Sequence, residues 1–288
     1  MPFKPPPRRA QKRLNWRPMT VSEQPTTMTS LAQDLKLLGV QPGQVLLVHC
    51  AFSSLGSVYG GPQALIDALQ ASLSPGGTLV MPTHSTQLTE PSKWQQPPAP
   101  KAWWQTIRDE LPAFDTERTP TRQMGVVAEL FRSYPDVLRS AHPHGSFAAW
   151  GPQAASITRN HPHDCIFGER SPLARLYERN AKVLLIGVGH SNNTSLHLAE
   201  YRCDLPSKRY HTEGAPMWVD GVVGGTKQWV EFEELVIDSD DFGSLGEDFA
   251  RQTNAETQGR IAAATATFFS QPAIVDFAVD WMNKHRGN

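Results

Sequence analysis

Residues Lys182–Glu200 read KVLLIGVGHSNNTSLHLAE, and the class of the fold follows from them. Lys182–Gly187 is a short aliphatic run, the pattern of a strand covered on both faces. Gly187 and Gly189 interrupt it, and a helical pattern then runs from Asn193 to Cys203. A buried strand that feeds a glycine-containing loop and then a helix is the repeating unit of an α/β protein.

The unit recurs upstream. Gln44–His49 (QVLLVH) predicts a strand, Ser53–Gly61 (SSLGSVYGG) a loop, and Pro62–Leu73 a helix with Leu65, Ile66 and Leu69 on one face. Gly76-Gly77 predicts a turn and Thr78–Met81 the next strand. A first helix begins at Thr26 or Thr27 and stops at Gly39. Further helices are expected over Gln123–Tyr134, Pro152–Arg159 and Ser171–Arg179, with a strand over Ser146–Trp150. Residues 85–120 hold no sustained period and read as a long functional loop or lid. Downstream, Val219–Gly225 and Gln228–Asp238 read as strands, and Leu245–Asn254, Gln258–Ser270 and Pro272–Lys284 as helices. The expected architecture is an α/β/α sandwich with a mostly parallel central sheet, additional later strands and C-terminal helices. Ligands in such sheets bind beyond the carboxyl ends of the strands.

Composition narrows the class. The chain has 288 residues, 39% hydrophobic and 19% charged, enough apolar material for a core, which excludes a wholly disordered chain. No run has the ~18 to 20 apolar residues of a membrane span, and no apolar stretch follows the basic N-terminus as in a secretory signal. Three cysteines, Cys50, Cys165 and Cys203, are too few for a disulfide framework, so a reducing cytoplasm is expected. The formal charge of −1 is uneven: residues 1–18 are proline-rich and hold Lys4, Arg8, Arg9, Lys12, Arg13 and Arg17 with no acid, which leaves the remainder at −7. Residues 1–25 read as a disordered or vector-derived tail and 26–288 as one domain. The acidic body suits a cationic ligand. No basic patch interleaved with aromatics suggests nucleic acid.

Three strand ends carry candidate chemistry. After the first, His49, Ser53, Ser54, Leu55, Gly56, Gly60 and Gly61 form a small-residue loop before a helix, where backbone N–H groups could meet a phosphate or pyrophosphate. After the second come Thr83 and His84, with Asp115, Thr119 and Thr121 further on. After the third, His197 and Glu200 are three apart on one helix and share a face, the arrangement of a histidine base backed by a carboxylate. Metal readings through His190, His197 and Glu200, or through the pairs His142/His144 and His161/His163, have no convincing complete ligand set, and no metal is expected.

Taken together, Val48–Gly61 (VHCAFSSLGSVYGG), Gly77–His84 (GTLVMPTH), Thr119–Gly125 (TPTRQMG), Arg139–Gly151 (RSAHPHGSFAAWG), Ser171-Pro172-Leu173 and Leu184–Tyr201 (LLIGVGHSNNTSLHLAEY) resemble the aminoglycoside 3-N-acetyltransferase family, in that family's order and over roughly residues 27–285. The resemblance implies acetyl-CoA as donor and a cationic aminoglycoside amine as acceptor. It assigns coenzyme A to the His49–Gly61 loop, Thr83 and Thr119–Thr121, and the acceptor to Asp115, Asn193 and Glu200. His197 falls on the histidine of the pattern Asn193, Thr194, His197, Glu200 and would be the general base, with Glu200 or Glu231 as its orienter and Thr194 as an oxyanion donor. His190-Ser191-Asn192 stands where the family often carries an acid. A homodimer is an expected assembly. The acceptor could instead be another amino-sugar amine, and three rivals are a metal-dependent amide or ester hydrolase, a non-catalytic nucleotide- or coenzyme-binding module, and a partner-binding role through the basic tail.

Overall fold

The apolar runs form strands because both of their faces are covered. The computed structural model describes residues 25–287, so the expected tail lies, but for its last residue, outside the described residues. In chain order they form α1 (Met28–Leu38), β1 (Val45–Cys50), α2 (Gly61–Leu73), β2 (Thr78–Pro82), α3 (Trp104–Glu110), α4 (Gly125–Phe131), β3 (Leu138–Arg139), β4 (Phe147–Trp150) and α5 (Ala154–Thr158). There follow α6 (Pro172–Glu178), β5 (Lys182–Ile186), α7 (Leu196–Arg202), β6 (Tyr210–Trp218), β7 (Lys227–Leu235), α8 (Phe242–Thr253), β8 (Glu256–Ile261), β9 (Ala264–Ser270) and α9 (Gln271–His285).

Seven strands make one sheet in the order β3-β4-β2-β1-β5-β9-β8. Parallel pairing is confined to its centre, where Leu47 lies beside Val80 of β2 and Val183 of β5; the flanking strands run antiparallel. Alternation along the central strands divides their side chains between two cores. Leu46, Val48, Leu79, Met81, Leu184 and Ile186 face the layer of α1, α2 and α4. Val45, Leu47, Val80, Val183 and Leu185 face the layer of α5 to α9. Each such side chain contributes about 1.5 to 3 kcal/mol when removed from water. A parallel centre brings the carboxyl ends of β1, β2 and β5 out on one edge, which places the site. A separate hairpin, β6 with β7, is in register at Glu213 and Phe232.

Two expectations are corrected. Gln258–Ser270 is not a helix; it lies almost wholly within the hairpin of β8 and β9, turned at Ala262 with φ of 50°. The burial of Ala264–Ser270 alternates and β9 pairs with β5, so sheet pairing overrides the helical preference of its alanines. Val219–Gly225 is a turn between strands, and the strand precedes it at Tyr210–Trp218, where Pro216 concealed it. The segment 85–120 holds α3 and docks on this hairpin: the Phe114 N–H donates to the Pro216 carbonyl at 2.8 Å, and Lys93 pairs with Glu213 at 2.5 Å. Trp94 and Trp104 donate to the carbonyls of Thr89 and Ala99 in that same segment, while Trp103 is exposed.

Candidate active site

Beyond the parallel strands three imidazoles come together. His49 is the penultimate residue of β1, His84 follows β2, and His197 stands on α7 after the turn that leaves β5. Burial and the charge of nearby His197 hold His49 down to about 3, and burial first, then His197 and His49, hold His84 down to about 3 as well. The Nε2 atoms of both are shielded from water and have no hydrogen-bond partner among the described residues. Both rings therefore stay neutral at physiological pH.

His197 differs. Its ring stacks on Phe167, with centroids 4.9 Å apart and an 11° angle, and leans on Phe242 at 4.9 Å. Nδ1 lies 2.6 Å from Glu200 Oε2, so an N–H there donates to the carboxylate and Nε2 carries the acceptor lone pair. Glu200 is buried and held at its other oxygen too: Oε1 accepts the Asp238 N–H at 2.9 Å and Arg286 Nη1 at 2.7 Å. Glu231 lies exposed on β7, paired in register with Gly214; the carboxylate in contact with His197 is Glu200.

The turn that delivers α7 depends on close contact. Gly187 has φ of +64°, and a Cβ there would lie 1.8 Å from Ser54 Oγ. Ser54 Oγ in turn donates to the Ala51 carbonyl at 2.6 Å. Asn193 is buried, and its Oδ1 accepts the Ser195 N–H at 3.2 Å, so it shapes the turn. Thr194 accepts the His197 N–H at 3.1 Å through its carbonyl and lines a cavity of about 290 Å³. The cavity is bounded by His49, Cys50 and Ala51 on one side and Gln123, Met124 and Gly125 on another. Burial pushes the Cys50 thiol up to about 12, which makes it a poor nucleophile.

The expected binding residues separate into two groups. His49 and Thr194 face the cavity, and Thr121 lines a depression that shares Gln123, Met124 and Gly125 with it. Ser53, Gly56 and Gly60 lie on the connection from β1 to α2 and Gly61 opens α2; the three glycines have positive φ. Leu55 is a core residue. Thr83 is fully buried with its hydroxyl 3.2 Å from Ser146 Oγ. Thr119 Oγ1 accepts the Asp115 N–H at 2.9 Å, and Asp115 Oδ1 accepts the Glu117 and Arg118 N–H groups at 2.8 and 3.0 Å. These last contacts are internal to the loop.

Sequence reasoning missed Gln123, Met124 and Gly125 as a cavity wall, although Gln-Met-Gly ahead of a helix was a readable signal. It also missed Arg286, 86 residues from Glu200, for which the local sequence held no signal. His190 pairs with Glu256 at 2.7 Å rather than with His197 or Glu200. His142 and His161 bond through their rings to nearby backbone and to Ser140. Among the described residues His211, Glu213 and Glu234 bring ligand-type atoms within 4.8 Å of one another, but Glu213 Oε1 already takes Lys93 at 2.5 Å and His211 at 3.1 Å.

A family model described as aminoglycoside 3-N-acetyltransferase matches residues 47–283. The chain belongs to the aminoglycoside 3-N-acetyltransferase family. A relative from Bacillus subtilis, the SPbeta prophage-derived aminoglycoside N(3')-acetyltransferase-like protein YokD, is 42% identical over 258 residues, covering 89% of this chain and 92% of the relative. The crystal structure of YokD superposes with a TM-score of 0.87 at 41% identity, over 92% of this chain and 97% of that one. Two other family structures carry ligands. AAC-IIIb with CoASH has a TM-score of 0.79 at 32% identity, covering 91% of this chain and 97% of its own. AAC-VIa bound to sisomicin has a TM-score of 0.79 at 29% identity, covering 91% and 98%. No helix among the described residues is long and apolar enough to cross a membrane.

Proposed function

We propose that the chain transfers the acetyl group of acetyl-CoA to the 3-amino group of an aminoglycoside, with His197 as general base. One observation carries this reading: of three adjoining imidazoles, His197 alone has a carboxylate on Nδ1, while burial keeps His49 and His84 from taking a proton near neutral pH. The aliphatic and sulfur-bearing lining from Cys50, Met81, Met124, Val127 and Val188 suits the acyl-bearing arm of a coenzyme. The binding of CoASH by AAC-IIIb and of sisomicin by AAC-VIa supports both substrates.

The chemistry follows from proton bookkeeping. An alkylammonium has no lone pair, so Nε2 of neutral His197 takes one proton, and Glu200 stabilises the imidazolium that results. The freed amine attacks the thioester carbonyl, and the nitrogen–carbon bond forms. Oxygen bears the developing charge, for which the Thr194 hydroxyl is the donor we assign. Collapse breaks the carbon–sulfur bond. The thiolate leaves with the excess proton of the nitrogen as the free thiol, and the imidazolium returns its proton to solvent. No covalent enzyme intermediate is needed. The −7 of the body favours a polycationic acceptor.

Thiol release from acetyl-CoA, measured against a panel that includes an aminoglycoside lacking a free 3-amino group and a simple amino sugar, tests the reading. Turnover is expected with the 3-amino compounds alone. His197→Ala should lower kcat by about 10²- to 10⁴-fold while coenzyme A still binds by calorimetry. Near-normal turnover in that variant refutes the assignment.

A further inference from the structure

We infer that Arg286, the C-cap of α9, is a positioning residue for the catalytic pair: it fixes the orientation of Glu200 and offsets part of its charge. The inference rests on the assignment of His197 as the base.

The guanidinium connects three elements. Nη1 donates to Glu200 Oε1 on α7 at 2.7 Å. Nε donates to Asp241 Oδ2 at 2.7 Å, and Nη2 donates to Asp241 Oδ1 at the start of α8. Nη2 also reaches the Asp238 carbonyl at 2.8 Å. Meanwhile the Asp238 N–H donates to the same Glu200 Oε1 at 2.9 Å. Two donors on Oε1 and His197 on Oε2 leave the carboxylate no second rotamer that keeps its partners. The planar fork makes this geometry available to arginine, whereas a lysine ammonium is a single point donor.

Charge points the same way. Glu200 and Asp241 are two carboxylates sharing one cation, and Glu200 is the more buried. Lys208 and Arg209 line the same 530 Å³ cavity behind Glu200, but Lys208 Nζ is taken up by the Tyr201 carbonyl. Asp238 faces Glu200 through its backbone N–H, and its Oδ1 accepts the Asp240 N–H. On the far side of His197, His49 and His84 stay neutral. Among the described residues Arg286 is thus the cation bonded directly to Glu200. The Phe242 ring lies 4.9 Å from the His197 ring and 5.9 Å from the guanidinium carbon, packed against both ends of the relay.

Removing the guanidinium exposes the imidazole to the undiminished field of Glu200, which favours its protonated form. Steady-state kinetics and pH profiles on the full chain test this. Arg286→Gln should lower kcat about tenfold and move the acid limb of kcat/KM to higher pH by about one unit, with coenzyme A affinity within twofold of the parent. Arg286→Lys should recover part of the rate and most of the limb. In Arg286→Ala, millimolar methylguanidinium should restore activity through the open cavity behind Glu200. A rescued rate or a shifted limb supports the inference. An unshifted limb with kcat within twofold, or a loss that neither methylguanidinium nor lysine relieves, overturns it. If the alanine variant does not fold, the glutamine and lysine pH profiles decide. Full activity in His197→Ala instead removes the underlying mechanism, whatever Arg286 does.

Discussion

Three imidazoles share the sheet's carboxyl edge, and the difference between them is one carboxylate. His49 and His84 are buried without a counter-charge and remain neutral to about 3. His197 has Glu200 at 2.6 Å and keeps a nitrogen free to act. The role of Glu200 is testable without changing shape. Glu200→Gln keeps a carbonyl oxygen for Nδ1 but removes the charge that stabilises the imidazolium. We expect kcat to fall about 10²-fold and the acid limb of kcat/KM to move to lower pH, opposite in sign to the shift expected for Arg286→Gln. Two shifts of the same sign would mean that the pair is not electrostatically coupled as described.

At the scale of elements, the connection from β5 to α7 positions the base through the close approach of Gly187 to Ser54 and the Asn193 side-chain bond to the Ser195 N–H. Gly187 sits at positive φ against Ser54, so a methyl group there meets both backbone strain and a steric clash. Gly189, two residues on, has open space around its missing Cβ. Gly187→Ala should therefore cost about 2 to 4 kcal/mol by urea denaturation, while Gly189→Ala stays within about 0.5 kcal/mol of the parent; equal midpoints for the two variants would contradict this account. The same connection shows how much was legible in the sequence. KVLLIG and QVLLVH announce themselves because a strand covered on both faces is apolar throughout, and His197 and Glu200 are found because helical spacing is local. ATATFFS could not be resolved in isolation: its alternation becomes visible only once β5 stands beside it. Gln123 stood in a Gln-Met-Gly run that the sequence did display, whereas Arg286 reaches the site by tertiary folding, so no local spacing reports it. The choice between Glu200 and Glu231 as the carboxylate beside His197 likewise needed the hairpin's position.

Across the whole molecule the buried histidines predict how stability responds to acid. His49, His84 and His161 are each held down to about 3, and His142 is held well below its usual range, in every case chiefly by burial. In the unfolded chain the same rings protonate near the ordinary value of about 6.5. Above that pH both states are neutral and these groups contribute no pH dependence. As pH falls below about 6.5, the unfolded state binds protons that the folded state refuses, so stability declines until the folded rings themselves titrate near 3. Each ring adds up to about 1.4 kcal/mol per pH unit to the slope. Glu90 and Glu129, lowered by their arginine partners against the opposing effect of burial, begin to weaken folding only below about 4.5. The interval from pH 7.5 to 5 therefore isolates the histidines. The urea midpoint should drop steeply across it, and His84→Phe should flatten the slope by about one proton, because His84 Nε2 has no partner to lose and its ring already packs 5.5 Å from Phe147 and 5.3 Å from Phe167. A midpoint that holds constant from pH 7.5 to 5 would show that these rings do not remain neutral in the folded protein, and the same result would remove the reason for choosing His197 over His49 and His84 as the base.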